Sequence, residues 1–370
     1  MDAIARGGVH GWPVGARRIL DAAIELLLLV LGRRVRPEQE EYNLDEPERP
    51  PPCCVLRALQ RFAVQDWLVL AYLALLLVGV RLGDGPRRPI ATAWLVVDLV
   101  CVGGCLLVTR AGVVRPALLS GLLYRFALFG AVISSFLQMQ YILPTAASRV
   151  VDAQLHAFDL LVFGVEPAVA WDADVTERAT EWFSFFYFGY FFLIAIHVIP
   201  VMLLERRTKI LAEFSFGMLF VFCTGHVLYL VVPGYGPYQA LAGSFTHELS
   251  GERWWPLVEA AVASVDGAAR LDIFPSLHTG GPTFLALFSM RHRAERPFSK
   301  TWRIVVFSTS QIIVATLYLR WHYLADVCAG FLLAMIGVVA AGWVAAEEPR
   351  ARARYDLGPV FEALEWRVRR

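Results

Sequence analysis

Two segments of the chain place histidines among residues that can orient or activate an imidazole. The first covers residues 272–281 and reads Asp-Ile-Phe-Pro-Ser-Leu-His-Thr-Gly-Gly. The second covers residues 318–330 and reads Tyr-Leu-Arg-Trp-His-Tyr-Leu-Ala-Asp-Val-Cys-Ala-Gly. Either pattern alone is usually incidental in an apolar helix, so it is their joint occurrence that indicates chemistry.

The first segment has the features of a helix start. Pro275 suits the first turn of a helix and Ser276 can cap it, which leaves free backbone N–H groups beside His278. Such N–H groups form a natural site for an anion. Gly280 and Gly281 lack side chains, so a phosphate or another helix can approach the backbone closely. The segment therefore predicts an anion site next to an imidazole.

The second segment pairs an imidazole with a carboxylate. His322 and Asp326 are four residues apart and share one helix face. The carboxylate can accept the Nδ1 proton, which leaves Nε2 as a nucleophile or base. Arg320 lies two residues earlier and is a candidate clamp for a phosphate.

Together these groups suit phosphoryl transfer at one site. A nucleophilic imidazole, an orienting carboxylate, a second histidine as proton donor and a positive group for phosphate oxygens are all present. Metal binding by the same histidines and aspartate is the rival interpretation, but the spacing lacks the signals of a zinc site. No cofactor or metal is therefore expected.

The composition predicts a membrane protein around these segments. Hydrophobic residues make up 57% of the 370 residues and charged residues 18%, against about 45–50% and 25% in soluble domains. A net charge of +1 gives no support to nucleic-acid binding. Apolar runs of about 20 residues predict an all-α bundle of about eight transmembrane helices. The predicted spans are 62–82, 90–108, 117–138, 183–204, 214–233, 276–290, 302–319 and 327–346, and the span at 276–290 is short and interrupted by glycines and proline.

Lys and Arg counts in the loops predict the orientation of the bundle. Loops and ends on one side carry 24 of these residues and those on the other side carry 7. By the positive-inside rule, both termini are expected in the cytoplasm of a plasma-membrane protein. His278 and His322 are then expected at the extracytoplasmic face.

Four regions are expected along the chain. Residues 1–61 form a cytoplasmic segment with an interfacial helix at 19–32 and a charged, proline-rich linker at 33–54. Residues 62–110 form two extra spans, 117–346 form the catalytic core and 347–370 form a basic tail. A second interfacial helix is expected within 251–270, where Trp254 and Trp255 would lie at headgroup level.

Ionisable side chains within the spans need partners, because a lone charge in hydrocarbon is costly. Asp98 and Arg125 are opposite charges in neighbouring spans, and we hypothesise that they form a buried ion pair. His197 is expected to be a hydrogen-bonded structural residue. His226, two turns before the sequence Pro-Gly-Tyr-Gly-Pro-Tyr, faces either a cavity or the helix packing.

At these residues the chain resembles the type 2 phosphatidic acid phosphatase superfamily. Its central Pro-Ser-x-His matches residues 275–278, and its last His-x-x-x-Asp matches residues 322–326. The sequences of these two motifs are most similar to those of the branch that contains inositol phosphorylceramide synthase. The turn at 233–238 and the segment 163–167 also resemble that branch, and the resemblance covers about 117–346.

The resemblance implies a metal-independent reaction with a phosphohistidine intermediate. His322 would become phosphorylated, Asp326 would orient it and His278 would act as the general acid. The usual clamp arginine is replaced by Thr316, so the candidates for phosphate and substrate binding are Arg320, Ser276, Gly280, Tyr235 and Tyr238.

Three functions remain open from the sequence. The first is phosphotransfer from a lipid phosphoester or phosphodiester to an alcohol, of the inositolphosphotransferase type. The second is hydrolysis of a phospholipid or polyprenyl phosphate, since acceptor choice depends on cavity shape and water exclusion. The third is an inactive scaffold or transporter, although only one span is broken where a transporter would show a pair. In each case the expected partners are the bilayer and a lipid.

Overall fold

The computed structural model describes residues 54–147, 149–266, 271–362 and 364. The predicted helix at 19–32 and all but the last residue of the linker lie outside these residues. The described residues are 77% helical and contain no strand, which confirms the all-α prediction. Their only β-type pairing is an isolated bridge between Gly234 and Asp272. The helices are α1 Cys54–Leu59, α2 Val64–Leu82, α3 Arg88–Arg110, α4 Ala117–Ala146, α5 Asp152–Phe163, α6 Pro167–Ala170, α7 Glu177–Leu204, α8 Thr208–Val231, α9 Pro237–Ala240, α10 Trp255–Asp266, α11 Leu277–Arg291, α12 Phe298–Tyr318 and α13 Leu324–Arg354.

Six of the helices are long and apolar enough to cross a bilayer, and they make this a multi-pass membrane protein. They are α2, α3, α4, α7, α8 and α13. The other two predicted spans correspond to α11 and α12, which pack against each other and against this group. At 15 residues, α11 is shorter than the about 20 that a bilayer requires, and most of its side chains are buried by protein.

The loops lie at two ends of the bundle, in the same two groups that the count of Lys and Arg residues predicts. At one end, Val64 N–H donates to Glu348 at 2.9 Å, and Arg110 donates to the carbonyl of Val360 at 3.1 Å. We call this the arginine end. At the other end, Val151 N–H donates to the carbonyl of Pro233 at 2.9 Å. This end carries both histidine segments, and we call it the cavity end after the cavity described below. The predicted convergence of the segments is therefore reproduced, whereas their exposure outside the cell stays a prediction.

Glycines allow α11 to pack tightly against its neighbours. A Cβ on Gly330 of α13 would overlap the backbone oxygen of Ser276. A Cβ on Gly225 of α8 would meet the side chain of Leu277. Small residues at such crossings bring helix backbones together in membranes. The start of α11 is therefore held between α8 and α13.

The hypothesis of an ion pair between Asp98 and Arg125 is wrong. Asp98 accepts hydrogen bonds from Ser134 at 2.9 Å and from Gln138 at 2.9 Å. Arg125 donates to the carbonyls of Gly121 and Glu362, at 2.9 and 2.7 Å. Neutral side chains bind Asp98 and backbone carbonyls bind Arg125, so each charge is compensated separately, which a pattern of opposite charges cannot anticipate.

Candidate functional site

The start of α11 is fixed to α13 by hydrogen bonds. Ser276 caps α11, with its side chain accepting from the N–H of Thr279 at 3.3 Å. Its own N–H donates to the carbonyl of Asp326 at 3.0 Å, and the residue is fully buried. The predicted cap is confirmed, and it holds His278 and Asp326 at a fixed separation.

The two histidines meet at the cavity end. Their ring centroids lie 6.2 Å apart with an angle of 48° between the planes. The ring of His278 stacks on Tyr187 at 4.3 Å and contacts Tyr190 at 4.2 Å, both from α7. Its Nε2 is buried without a hydrogen-bond partner. A pair of imidazoles at this separation can act on one phosphorus atom from two sides.

Asp326 faces the second histidine. Nδ1 of His322 lies 3.5 Å from Oδ2 of Asp326, at the outer limit of a hydrogen bond. The same Oδ2 accepts from the backbone N–H of Tyr323 at 2.9 Å, which fixes the carboxylate at the start of α13. Contacts of this kind are often long before substrate binds. The pair can hold the imidazole with Nε2 directed away from the carboxylate.

The segment before α7 supplies aspartates that anchor the loops of the site. Asp159 of α5 accepts from the N–H groups of Leu324 and Ala325, at 2.6 and 2.9 Å, and so binds the N-terminus of α13. Burial raises the pKa of Asp159, and these two hydrogen bonds oppose that rise. The start of α13 therefore depends on a carboxylate from another helix.

Asp152 anchors a second loop, the turn that follows α8. Its carboxylate accepts from the N–H groups of Tyr235 and Gly236, at 3.0 and 2.9 Å, and from the hydroxyl of Tyr323 at 3.3 Å. Gly236 has a φ of 80°, in the left-handed region that favours glycine. Asp152 therefore fixes the backbone of the turn at Tyr235 and Gly236.

Arg320 lies outside the cavity lining and already has an anionic partner. It donates to Asp172 at 2.9 Å and to the carbonyl of His247 at 2.7 Å, and its guanidinium lies over the ring of Phe245 at 3.9 Å. Its φ of 65° is a strained value for a residue with a side chain. The structure therefore places the candidate clamp in a supporting position, where it orients the loop that carries His322.

Asp172 is the partner of this arginine and joins two further loops. It accepts hydrogen bonds from the N–H and the hydroxyl of Thr246, at 2.9 and 2.5 Å. Burial alone would raise the pKa of Asp172, but the hydrogen bonds from Thr246 and His247 outweigh that effect and hold the pKa well below its usual range. Asp172 is thus ionised at neutral pH and matches the charge of Arg320.

The other predicted binding residues divide into two groups. Tyr235 and Tyr238 line the cavity. Ser276 and Gly280 do not line it, and a Cβ on Gly280 would lie 3.3 Å from the carbonyl of Gly330. Of the two possibilities for Gly280, the structure therefore shows the approach of another helix.

A cavity of about 410 Å³ extends from the histidines to exposed apolar residues of α4 and α7. His278, His322 and Asp272 lie in its lining together with Tyr187, Tyr190, Tyr235, Tyr238 and Trp321. The rest of the lining is mostly apolar and comes largely from α4 and α7. Ile133 and Ile199 in this part are 61% and 56% exposed. The cavity can accept a polar head beside the histidines and an apolar chain between the two helices.

Other residues considered from the sequence have structural roles. His197 contacts the carbonyl of Leu193 at 2.8 Å, which confirms a hydrogen-bonded structural histidine. His226 is buried, lines the cavity and contacts the hydroxyl of Tyr72 at 2.8 Å. The helix expected within 251–270 is present as α10, and Trp255 is buried against Tyr238 and Trp321. The position of Trp254 and Trp255 at headgroup level stays a prediction.

Sequence reasoning missed the residues that surround and position the histidines. Tyr187 and Tyr190 are three apart in a run of phenylalanines, and this spacing of polar rings on one helix face was an available signal. Asp152 and Asp159 are seven apart and also share a face. Among the described residues, no three His, Cys, Asp or Glu side chains are grouped so as to hold a metal ion.

Comparison with known proteins identifies the family. Neither the curated proteins nor the solved structures give a match. The model of the PAP2 superfamily matches residues 153–340, just over half of the chain, and the match spans α5 to α13 with both histidine segments. A match to this superfamily supports a phosphatase or phosphotransferase activity on lipid phosphoesters in general. With this match over the helices that build the cavity, the chain belongs to the PAP2 superfamily.

Proposed function

We propose that the protein transfers the phosphorylated headgroup of a lipid phosphodiester to an alcohol. This is the type of reaction that inositolphosphotransferases perform, and here it would use His322 as the nucleophile without a metal. The observation that carries the proposal is the meeting of His278 and His322 in a cavity that continues between α4 and α7. The site would face the extracytoplasmic side of the plasma membrane.

The first step forms a bond from Nε2 of His322 to phosphorus and breaks the bond from phosphorus to the lipid oxygen. His278, protonated at the start, gives its proton to that oxygen, so a lipid alcohol leaves. Asp326 stabilises the positive charge that develops on the imidazole of His322. The contact of 3.5 Å between Asp326 and His322 supports this role.

The second step returns the enzyme to its starting state. The acceptor hydroxyl attacks phosphorus, the N–P bond breaks and the hydroxyl proton passes to His278. The largely apolar lining favours an alcohol over water, because little polar surface is present to hold water around the phosphohistidine. Tyr235 and Tyr238 lie in the lining where a headgroup would rest.

A headgroup-transfer assay tests the proposal. Purified protein in nanodiscs is given phosphodiester lipids and a diacylglycerol with different acyl chains, in the presence of EDTA. The expected product is the headgroup phosphate on the new acyl chains, formed by the native protein and lost in His322→Ala. Release of headgroup phosphate into water would indicate a hydrolase. A native protein that is inert on every lipid would contradict both activities and favour a scaffold.

A further inference from the structure

The charges of the cavity are unusual for a site that binds phosphate. Asp272 is the one carboxylate in the lining, and no Lys or Arg occurs among the described residues that form it. Arg320, which directly precedes Trp321 and His322 of the lining, is paired with Asp172. Apart from imidazoles, the described lining therefore has a negative charge and no positive one.

Asp272 lines the cavity beside the loop that carries Tyr235. Its backbone bridges to Gly234, which directly precedes Tyr235. Burial raises the pKa of Asp272, and interaction with His322 opposes this rise. A carboxylate in such surroundings is costly unless a cation or several hydrogen bonds compensate it.

Aromatic rings lie around the same region. Trp321 stacks on Tyr238 with ring centroids 4.7 Å apart, and Tyr187 lies 6.1 Å from Trp321 on the side of His278. Aromatic surfaces together with a carboxylate form a suitable environment for ammonium groups, especially quaternary ones. The same environment offers little to a second anionic group.

We propose that Asp272 and the rings of Tyr235, Tyr238 and Trp321 bind the ammonium group of a zwitterionic lipid headgroup. This inference rests on the proposed function and specifies its donor lipid as a choline or ethanolamine phosphodiester. The phosphate of such a lipid lies between the two histidines and its ammonium neutralises Asp272. An anionic headgroup would add a negative charge to a lining whose described residues include no arginine or lysine to balance it.

A lipid panel tests the assignment. The donors are dioleoyl phosphatidylcholine, phosphatidylethanolamine, phosphatidylglycerol and phosphatidylinositol, each in nanodiscs of otherwise neutral lipid. The native protein is expected to use the first two with a kcat/KM at least about tenfold higher, the effect of about 1.4 kcal/mol. In Asp272→Asn this preference is lost because the zwitterionic lipids react more slowly. A preference of the native protein for phosphatidylglycerol or phosphatidylinositol, or an equal loss on all four lipids in the variant, would overturn the inference.

Two controls separate this inference from the proposed function. Glu259→Gln removes an exposed carboxylate of α10 that lies outside the described lining, and it is expected to leave the preference unchanged. Binding of the four lipids to His322→Ala, measured by native mass spectrometry, requires no catalysis. Selective binding of the zwitterionic lipids that disappears in the double variant with Asp272→Asn supports the inference even if the native protein is inert. Equal binding of all four lipids would refute it.

Discussion

The two ends of the bundle treat buried charge in different ways. At the arginine end, Asp66 accepts from Arg110 at 2.7 Å and from Tyr124 at 2.7 Å. Arg352 donates to the carbonyl of Gly358 at 2.8 Å and lies 3.9 Å from Glu348. Charged side chains at this end therefore form ion pairs and hydrogen bonds that connect α2, α3, α4 and α13.

At the cavity end, most carboxylates bind the backbone. Asp152 and Asp159 accept from N–H groups of the loops that carry the site. The imidazoles remain less satisfied, since Nε2 of His278 is buried without a hydrogen-bond partner and Nδ1 of His322 has only the long contact of 3.5 Å to Asp326. The difference teaches that paired charges hold this bundle together, whereas its chemistry is expected where polar atoms have been left for a substrate.

The largest effect is expected at the proposed nucleophile. His322→Ala should lower kcat by at least about 10³-fold, because no other group would form the covalent intermediate. Transfer of headgroup phosphate is the measurement. His197→Ala is the matched control, since His197 lies outside the cavity lining and its loss should change kcat by less than about twofold. A variant at His322 that keeps a tenth of the activity would contradict the proposed role.

The next effect concerns the proposed general acid. His278→Gln should lower kcat by about 10²- to 10⁴-fold on lipids, the range usual for loss of proton transfer. A nitrophenyl phosphodiester has a leaving group that needs no proton, so the loss should be much smaller on this substrate. Equal losses on both substrates would show that His278 does not protonate the leaving group. Because a neutral His322 and a protonated His278 are both needed, kcat/KM of the native protein should depend on pH with a bell shape. Loss of His278 should remove one limb of this profile.

Anchoring of the site by Asp159 predicts an intermediate effect. Asp159→Ala should lower kcat about tenfold with little change in KM, because the N-terminus of α13 loses an acceptor worth about 1 kcal/mol and His322 shifts. Asp159→Asn should recover most of the activity, since its amide oxygen can accept one of the two bonds. If Asn and Ala behave alike in both kcat and KM, hydrogen bonding is not the way in which Asp159 acts.

The arginine end should show the opposite pattern. Asp66→Ala leaves the mostly buried Arg110 without its ionic partner, which should destabilise the fold by about 3–5 kcal/mol. The kcat of the protein that remains folded should change by less than about twofold, because Asp66 lies at the far end from the cavity. Melting temperature and kcat, measured on the same preparation, check both statements. A selective loss of kcat with an unchanged melting temperature would break the comparison between the two ends.

The smallest effect is a pH dependence of stability through Asp172. The pKa of Asp172 in the folded state is below the value of about 3.9 in the unfolded chain. Its contribution to the free energy of unfolding is therefore fully present above that pH and is lost as the pH falls toward the folded-state pKa. The melting temperature of Asp172→Asn should therefore lie below that of the native protein by a constant amount between pH 8 and pH 5. The difference should shrink only below about pH 4. A difference that already shrinks near pH 6 would contradict an ionised, hydrogen-bonded Asp172.

The sequence allowed the helices and the two histidines to be predicted, because each depends on local pattern. Apolar length set the spans, and the spacing of His322 and Asp326 placed them on one face. The supporting residues could not be predicted in the same way. Arg320 reads as a phosphate clamp until Asp172, 148 residues away, is seen beside it. Such pairs depend on which loops are neighbours in the folded protein, and spacing along the chain does not show this.

The covalent intermediate provides the most direct test of the central claim that His322 attacks phosphorus while His278 faces it. Native protein and His278→Ala are mixed with donor lipid, quenched under alkaline conditions and digested, and the peptide containing His322 is measured by mass spectrometry. The account predicts the added mass of the phosphorylated headgroup on His322, absent in His322→Ala. Active protein that never carries this mass on His322, or carries it on another residue, would contradict the account.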